Sequence, residues 1–81
     1  PDVSIAAAEA LCRMGELDAG LPVIEKAIGH ERPKVALHAV NVVQSLGEKA
    51  SPALDAVRKA AKNGSNYVKR AAEYTAENLG R

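Results

Sequence analysis

One stretch of the chain, residues 33–46 with the sequence PKVALHAVNVVQSL, constrains the fold more than any other. An α-helix turns about 100° per residue, so a helix here places most of its apolar side chains on one continuous arc of roughly 160°. The arc consists of Val35, Ala36, Ala39, Val40, Val42, Val43 and Leu46. An arc this wide predicts a helix that packs between neighbours on both sides. Leu37 alone falls on the polar arc.

The ends of this helix follow from Pro33 and Gly47. Proline suits the first helical turn, where a missing N–H costs nothing, and glycine suits the position just past a helix end. We expect five side chains of the helix to be almost fully buried: Val35, Ala39, Val42, Val43 and Leu46.

Residues 2–14 and 68–79 repeat the pattern of this central helix. Val3 lies 32 residues before Val35, and Val68 lies 33 residues after it. In the first copy the matching positions are Ala7 with Ala39, Ala10 with Val42, Leu11 with Val43, Met14 with Leu46 and Gly15 with Gly47. In the last copy the corresponding residues are Ala72, Thr75, Ala76, Leu79 and Gly80. An internal period of this size indicates a repeat architecture.

Two shorter helices are predicted between the long ones, at residues 21–28 and 53–62. Pro22 predicts an irregular start for the first, and Ser51–Pro52 predicts a cap and a first-turn proline for the second. Further predicted boundaries are Asp2 as a cap, Ser65 or Asn66 as a cap, and Gly29 and Asn63–Gly64 as helix ends. The chain is therefore predicted to be an all-α solenoid of two helical hairpins plus a capping helix.

The 81 residues predict a single small domain. Its first repeat covers about residues 2–31, its second about 32–64, and a half-repeat about 65–81. Only 2% of residues are aromatic, so the core must be built from small and aliphatic side chains, which let helices approach closely. The start at Pro1 without a methionine indicates a fragment of a larger protein.

The recurring V-x-x-A-A-x-A-L-x-x-M/L-G pattern, followed by A-x-P-A-L, resembles short HEAT-like repeats of the phycobilin-lyase type. It is clearest over residues 3–15, 35–47 and 51–57. The resemblance implies an α–α superhelix whose second helices line a concave side. Solenoids commonly bind their partners on that surface.

Three segments, GHERPKVALHAVNVVQSLG, ASPALDAV and NYVKRAAEYTAENL, also resemble the helical-repeat tail of some bacterial sulfatases. That resemblance implies a sulfatase-like parent enzyme and a periplasmic or secreted location. The catalytic signature of the family is C-x-P/A-x-R, and residues 12–16, CRMGE, do not match it. No catalytic residue is therefore carried over from the sulfatases.

The chain has only two histidines and one cysteine, residue types that commonly bind metals or act as nucleophiles. His30 and His38 stand eight residues apart without the further ligands that a metal site needs. Cys12 has no second cysteine to pair with, and we expect a partly buried thiol without a catalytic role. The chain is interpreted as a non-enzyme without metal or cofactor. No apolar run is long enough to cross a membrane.

A polar strip on the shorter helices is the candidate interaction surface. It consists of Glu25, Lys26, Asp55, Arg58, Lys59 and Lys62, and two tyrosines expected on the outer face, Tyr67 and Tyr74, complete the set. The leading hypothesis is a non-catalytic scaffold or protein-interaction module, and an ordinary solvated surface is the alternative for the strip. Nucleic-acid binding through its basic residues is a second hypothesis, which a net charge of only +1 disfavours.

The two end helices of the array differ in their outer flanks. Lys69 and Glu73 occupy positions that are apolar or small in the earlier copies. They therefore predict a polar C-terminal cap, with Gly80–Arg81 at or near the natural end. Val3, Ala6 and Ala10 give the first helix a small apolar flank instead, which suits a preceding repeat or domain. We expect that flank to be exposed and to allow self-association.

Overall fold

A computed structural model describes residues 5–64 and 66–79, and every regular element in those ranges is helical. The elements are α1 (Ile5–Arg13), α2 (Leu17–Ile28), α3 (Pro33–Leu46), a 3-10 helix (Gly47–Ala53), α4 (Leu54–Asn63) and α5 (Asn66–Leu79). The all-α prediction is confirmed for this part of the chain. The predictions for Asp2, Val3, Ser65, Gly80, Arg81 and the side chain of Leu79 lie outside the described residues.

Helix α3 lies between the two helices that repeat its pattern, as predicted, because it contacts both α1 and α5. It also contacts α2 and the 3-10 helix. Burial is confirmed at four of the five predicted positions, Ala39, Val42, Val43 and Leu46. The prediction is wrong for Val35, which is only half-buried because it lies in the first turn of α3, next to the exposed residues 29–34. Leu37, expected on the polar arc, is half-buried against the core.

The arrangement of the helices fits two layers. The Cα atoms span 31 × 30 × 15 Å. Packed helices lie about 8–10 Å apart and have a Cα radius near 2.3 Å, so 15 Å accommodates two layers. Contacts join α1 to α3 and α3 to α5 on one side and α2 to α4 on the other, while α1 packs on α2 and α4 on α5.

Helix α2 begins earlier than the sequence pattern predicts. It starts at Leu17, so Pro22 lies inside the helix instead of at an irregular start. Pro22 has no N–H for the carbonyl group of Asp18, one turn earlier. Both residues are exposed, so water can solvate that carbonyl group. The added first turn is held by N–H groups of Ala19 and Gly20, which donate to the carbonyl oxygen of Glu16.

The start of α4 also differs from the prediction. Ser51 and Pro52 lie within the 3-10 helix, and α4 starts at Leu54 without a side-chain cap. The N–H group of Leu54 donates to the carbonyl oxygen of Ser51, so the 3-10 helix runs directly into α4. A capping side chain is not needed where the preceding turn already supplies the hydrogen bond.

Gly15 and Gly47 occupy the same position of successive repeats, and both have a positive φ, 90° and 63°. Glycine reaches this region without the steric cost that other residues meet. The predicted role of Gly47 just past α3 is confirmed, since its N–H group donates to the carbonyl oxygen of Val43. In both repeats, therefore, a glycine after the long helix adopts a backbone conformation that other residues rarely adopt.

The side chains on the outer flanks of the two end helices are exposed. They are Ala6 and Ala10 on α1, and Lys69 and Glu73 on α5. Met14, which aligns with the buried Leu46, is 74% exposed. None of the described helices is long and apolar enough to span a membrane.

Candidate functional site: a groove between α2 and α4

A groove of about 610 Å³ opens where the ends of α2 and α4 meet the starts of α3 and α5. We call it the α2–α4 groove. Its lining residues are Glu25, Ile28, Gly29, His30, Glu31, Pro33, Ala36, Asp55, Ala56, Lys59, Ala60, Asn63, Gly64 and Val68.

The floor of the α2–α4 groove is apolar. Ile28, Ala36, Ala60 and Val68 are all buried core residues that also line it. Gly64 lies between α4 and α5, where a β-carbon would lie 2.6 Å from the carbonyl oxygen of Ala60 on α4 and 2.9 Å from Cγ1 of Val68 on α5. Small residues at the junction thus let α5 start close against α4, and this close approach shapes the groove.

The rim of the groove carries more negative than positive charge. Glu25 comes from α2, Glu31 from the α2–α3 loop and Asp55 from α4, whereas Lys59 is the single Lys or Arg in the lining. Within residues 5–64 and 66–79, none of these three carboxylates takes part in an ion pair. The lining therefore has a formal charge of −2 when His30 is neutral.

His30 contributes to the rim through an ordered loop. Its Nδ1 atom accepts a hydrogen bond of 3.0 Å from the N–H group of Arg32. A nitrogen that accepts carries no proton, so neutral His30 has its proton on Nε2. His38 is exposed on α3, away from this lining. Among the described residues, no three His, Cys, Asp or Glu side chains cluster in a way that could hold a metal ion.

The structure brings three of the predicted strip residues together at the groove: Glu25, Asp55 and Lys59. The other five residues of the candidate surface, Lys26, Arg58, Lys62, Tyr67 and Tyr74, are exposed and lie outside the lining of the groove as described. The predicted exposure of the tyrosines is confirmed, at 77% for Tyr67 and 62% for Tyr74. They form a separate surface on α5, and binding by either surface stays a prediction.

Sequence reasoning missed three residues of the groove: His30 and Glu31 in the α2–α3 loop, and Asn63 at the end of α4. A signal was present, because His30 and Asn63 are 33 residues apart and occupy equivalent positions after α2 and at the end of α4. The repeat offset thus identifies the ends of both short helices as neighbours on one side of the molecule.

The prediction of a partly buried Cys12 is wrong, because its side chain is fully buried between α1 and α2. The cause is Gly20 of α2, which has no side chain and so leaves room for the thiol. Burial raises the pKa of Cys12 above its ordinary value, and the negative charge of Glu9 adds to this rise. A thiol in this state is a weak nucleophile.

Comparison with protein families gives a match to the model described as HEAT repeats, over residues 1–77. No curated protein and no solved structure matches the chain.

Proposed function

The chain belongs to the HEAT-repeat family, and on that premise we propose that it is a non-catalytic scaffold or protein-interaction module built as an α-solenoid. HEAT repeats generally mediate protein interaction or scaffolding. The proposed module acts by presenting a shaped surface, and the α2–α4 groove is that surface.

In-register stacking of successive repeats supports the solenoid part of the proposal. Arg13 and Ser45 are 32 residues apart, one repeat, and a hydrogen bond joins their side chains. The long helices also contact one another in chain order, α1 to α3 and α3 to α5. A solenoid requires each repeat to contact its neighbours in this way.

The observation that carries the interaction role is the α2–α4 groove itself. Residues of the predicted polar strip on two different helices, Glu25 on α2 and Asp55 on α4, meet at one concavity of about 610 Å³. A concave site with an apolar floor and a few converging polar groups is the usual form of a binding site.

A displayed library of random peptides, selected against the chain, tests this role. Ala56 and Ala61 are both half-buried on α4, but only Ala56 lines the groove. We expect selected peptides to bind the unmodified chain and Ala61→Gln but to lose binding to Ala56→Gln, whose longer side chain fills the groove. If no peptide distinguishes the two variants, the groove is not the binding surface.

A sulfatase-like parent enzyme remains a proposal that rests on the resemblance of three sequence segments, without support from a matching protein. The coding sequence upstream of Pro1 tests it directly. A C-x-P/A-x-R signature there would support the sulfatase origin, and another kind of domain would exclude it.

Nucleic-acid binding is the alternative, and the structure gives it no specific support. Asp55 and Lys59 line the same groove, so a phosphate near the lysine would also meet a negative charge. A DNA titration at increasing salt concentration distinguishes the two functions. Only phosphate recognition predicts measurable affinity that falls steeply with salt.

Self-association through the exposed flank of α1 is a further part of the proposal. Ala6 and Ala10 are small and exposed, and Met14 extends this apolar surface. Sedimentation equilibrium tests this idea. Ala10→Lys should weaken the association of the chain, whereas Asn78→Lys, at an exposed position on α5, is the control and should not. A monomer at every concentration would contradict it.

A further inference from the structure

The floor of the α2–α4 groove is suited to an aliphatic chain. Its buried side chains, Ile28, Ala36, Ala60 and Val68, are all hydrocarbon. Three of the four are Ala or Val, and the lining as described contains no Phe, Tyr or Trp side chain on which a ring could stack. The stem of a long flexible side chain buries its methylene groups on a surface of this kind.

The rim is suited to a cation. Glu25, Glu31 and Asp55 approach the same space from α2, from the α2–α3 loop and from α4, so folding gathers charges that are far apart in sequence. In the described part of the chain none of the three forms an ion pair, and Lys59 is the single fixed positive charge of the lining. Carboxylates around one concavity repel each other, and a bound cation would remove that repulsion.

We propose that the α2–α4 groove binds an arginine side chain presented by a partner protein. The arginine stem lies along the apolar floor, and its guanidinium group is bound by Glu25, Glu31 and Asp55. Arginine matches better than lysine because its planar guanidinium donates several hydrogen bonds to carboxylates at once. This inference rests on the proposed interaction function and specifies the chemistry of the partner.

Two fluorescein-labelled nonapeptides of alanine and leucine serve as probes. One carries a single central arginine, and its twin carries citrulline, which is almost the same shape but uncharged. Fluorescence anisotropy at low salt should show about tenfold tighter binding of the arginine peptide, since each partly exposed ion pair contributes up to about fivefold. Added salt should reduce that ratio.

Matched variants assign the effect to the rim. Asp55→Asn and Glu25→Gln keep the side-chain shape, and each should lower the arginine-to-citrulline affinity ratio about threefold. Glu73→Gln, an exposed carboxylate on α5, should leave the ratio unchanged. Lys59→Met should raise the ratio, because it removes the one competing cation, whereas Lys62→Met on the same helix lies outside the lining and should not.

An affinity ratio near one, or an arginine peptide that does not bind, would overturn the inference. The peptide selection described above then shows whether the interaction function survives. Peptides that depend on the groove but lack basic residues would leave that function standing, whereas no groove-dependent peptide at all would overturn both. The Lys59→Met result keeps the test decisive if a carboxylate variant does not fold, since loss of a surface lysine leaves the core intact.

Discussion

The side chains of Arg13 and Ser45 join equivalent positions of two successive repeats. The Nη2 atom of Arg13 donates to Oγ of Ser45 at 2.6 Å, and it also pairs with Oε2 of Glu9 at 2.8 Å. Glu9 lies one turn before Arg13 on α1, so it holds the guanidinium in place for the contact with α3. The hydrogen bond between Arg13 and Ser45 therefore connects α1 and α3 at corresponding positions of their repeats.

A double-mutant cycle with Arg13→Met and Ser45→Ala should measure a small coupling free energy of about 0.2–1 kcal/mol, because the Arg13 side chain is largely exposed and water competes for its hydrogen bonds. Urea unfolding of the four proteins gives this value. Ser51→Ala, an exposed serine on the 3-10 helix, is the control and should not couple to Arg13. Additive effects of the two substitutions would show that the contact contributes nothing to stability.

Val42 tests whether the central helix carries the core. Its side chain is 3% exposed, so Val42→Asp places an unpaired charge in the interior of the protein. The cost is several kcal/mol against a total stability of roughly 5–15 kcal/mol, so we expect this variant to be unfolded. Circular dichroism during heating shows whether the variant has a cooperative unfolding transition. Asn41→Asp, at the exposed neighbouring position, should still melt cooperatively. A normal melt of Val42→Asp would contradict the central role of α3.

The central core could be predicted from sequence because burial in a helix follows a simple period. The apolar arc of α3 correctly predicted buried Val42 and Val43, since both lie in the middle of the helix, where periodicity alone decides which side chains face the neighbours. Periodicity fails in the first turn of the helix, although it holds at Leu46, the last residue. Val35 is only half-buried, next to the exposed Pro33 and Lys34.

Helix boundaries were less predictable because proline signals are ambiguous. Pro22 is compatible with an irregular start, but α2 tolerates it inside the helix, where solvent reaches the carbonyl group of Asp18. Pro52 is compatible with a first helical turn, yet it lies in a 3-10 helix that continues into α4. Whether a proline begins a helix or lies within one depends on the packing around it, which sequence alone does not show.

The groove was predicted only in part for a related reason. Its helical residues, such as Glu25 and Asp55, belong to a strip that the repeat pattern exposes. Its loop residues, such as Glu31, join them because the α2–α3 loop approaches α4 at the groove. That approach is a tertiary contact. The repeat offset between His30 and Asn63 indicates that the helix ends are neighbours, but not that they enclose a groove.

Cys12 should react slowly with thiol reagents in the folded protein and rapidly in urea. Burial removes access to the thiol, and its raised pKa lowers the small thiolate fraction at neutral pH still further. The raised pKa also contributes stability that is fully present below the ordinary thiol pKa near 8.5 and is lost as the pH rises through the folded value. Rates with a chromogenic disulfide reagent, and urea midpoints between pH 7 and 10, measure both effects.

Cys12→Ala is the control for that experiment, because it removes the thiol but retains the buried position. Its urea midpoint should fall less steeply with alkaline pH than that of the unmodified chain. Equal pH dependence of the two proteins would show that Cys12 does not titrate differently on folding. Fast modification without urea would show that the thiol is accessible.

Gly20 lies within α2, and Gly29 follows its last residue. Only at Gly20 do the surrounding atoms leave no room for a larger side chain. A β-carbon at Gly20 would lie 2.6 Å from both the carbonyl oxygen of Ala8 and Sγ of Cys12. At Gly29 the nearest atom would be the carbonyl oxygen of Lys26, at 3.8 Å, and φ is −87°, which other residues adopt readily. The two glycines are therefore a matched pair for testing the contact between α1 and α2.

Gly20→Ala should destabilise the protein by up to about 2 kcal/mol. Overpacking costs about 1–3 kcal/mol, and the better helix propensity of alanine returns at most about 1 kcal/mol. The cost lies towards the upper end because the Ala8 carbonyl is backbone, so α1 and α2 must move apart. Gly29→Ala should be neutral or slightly stabilising, since it restricts the unfolded chain without a clash. Urea unfolding measures both variants, and equal stabilities would mean that α1 and α2 are not in close contact at Cys12.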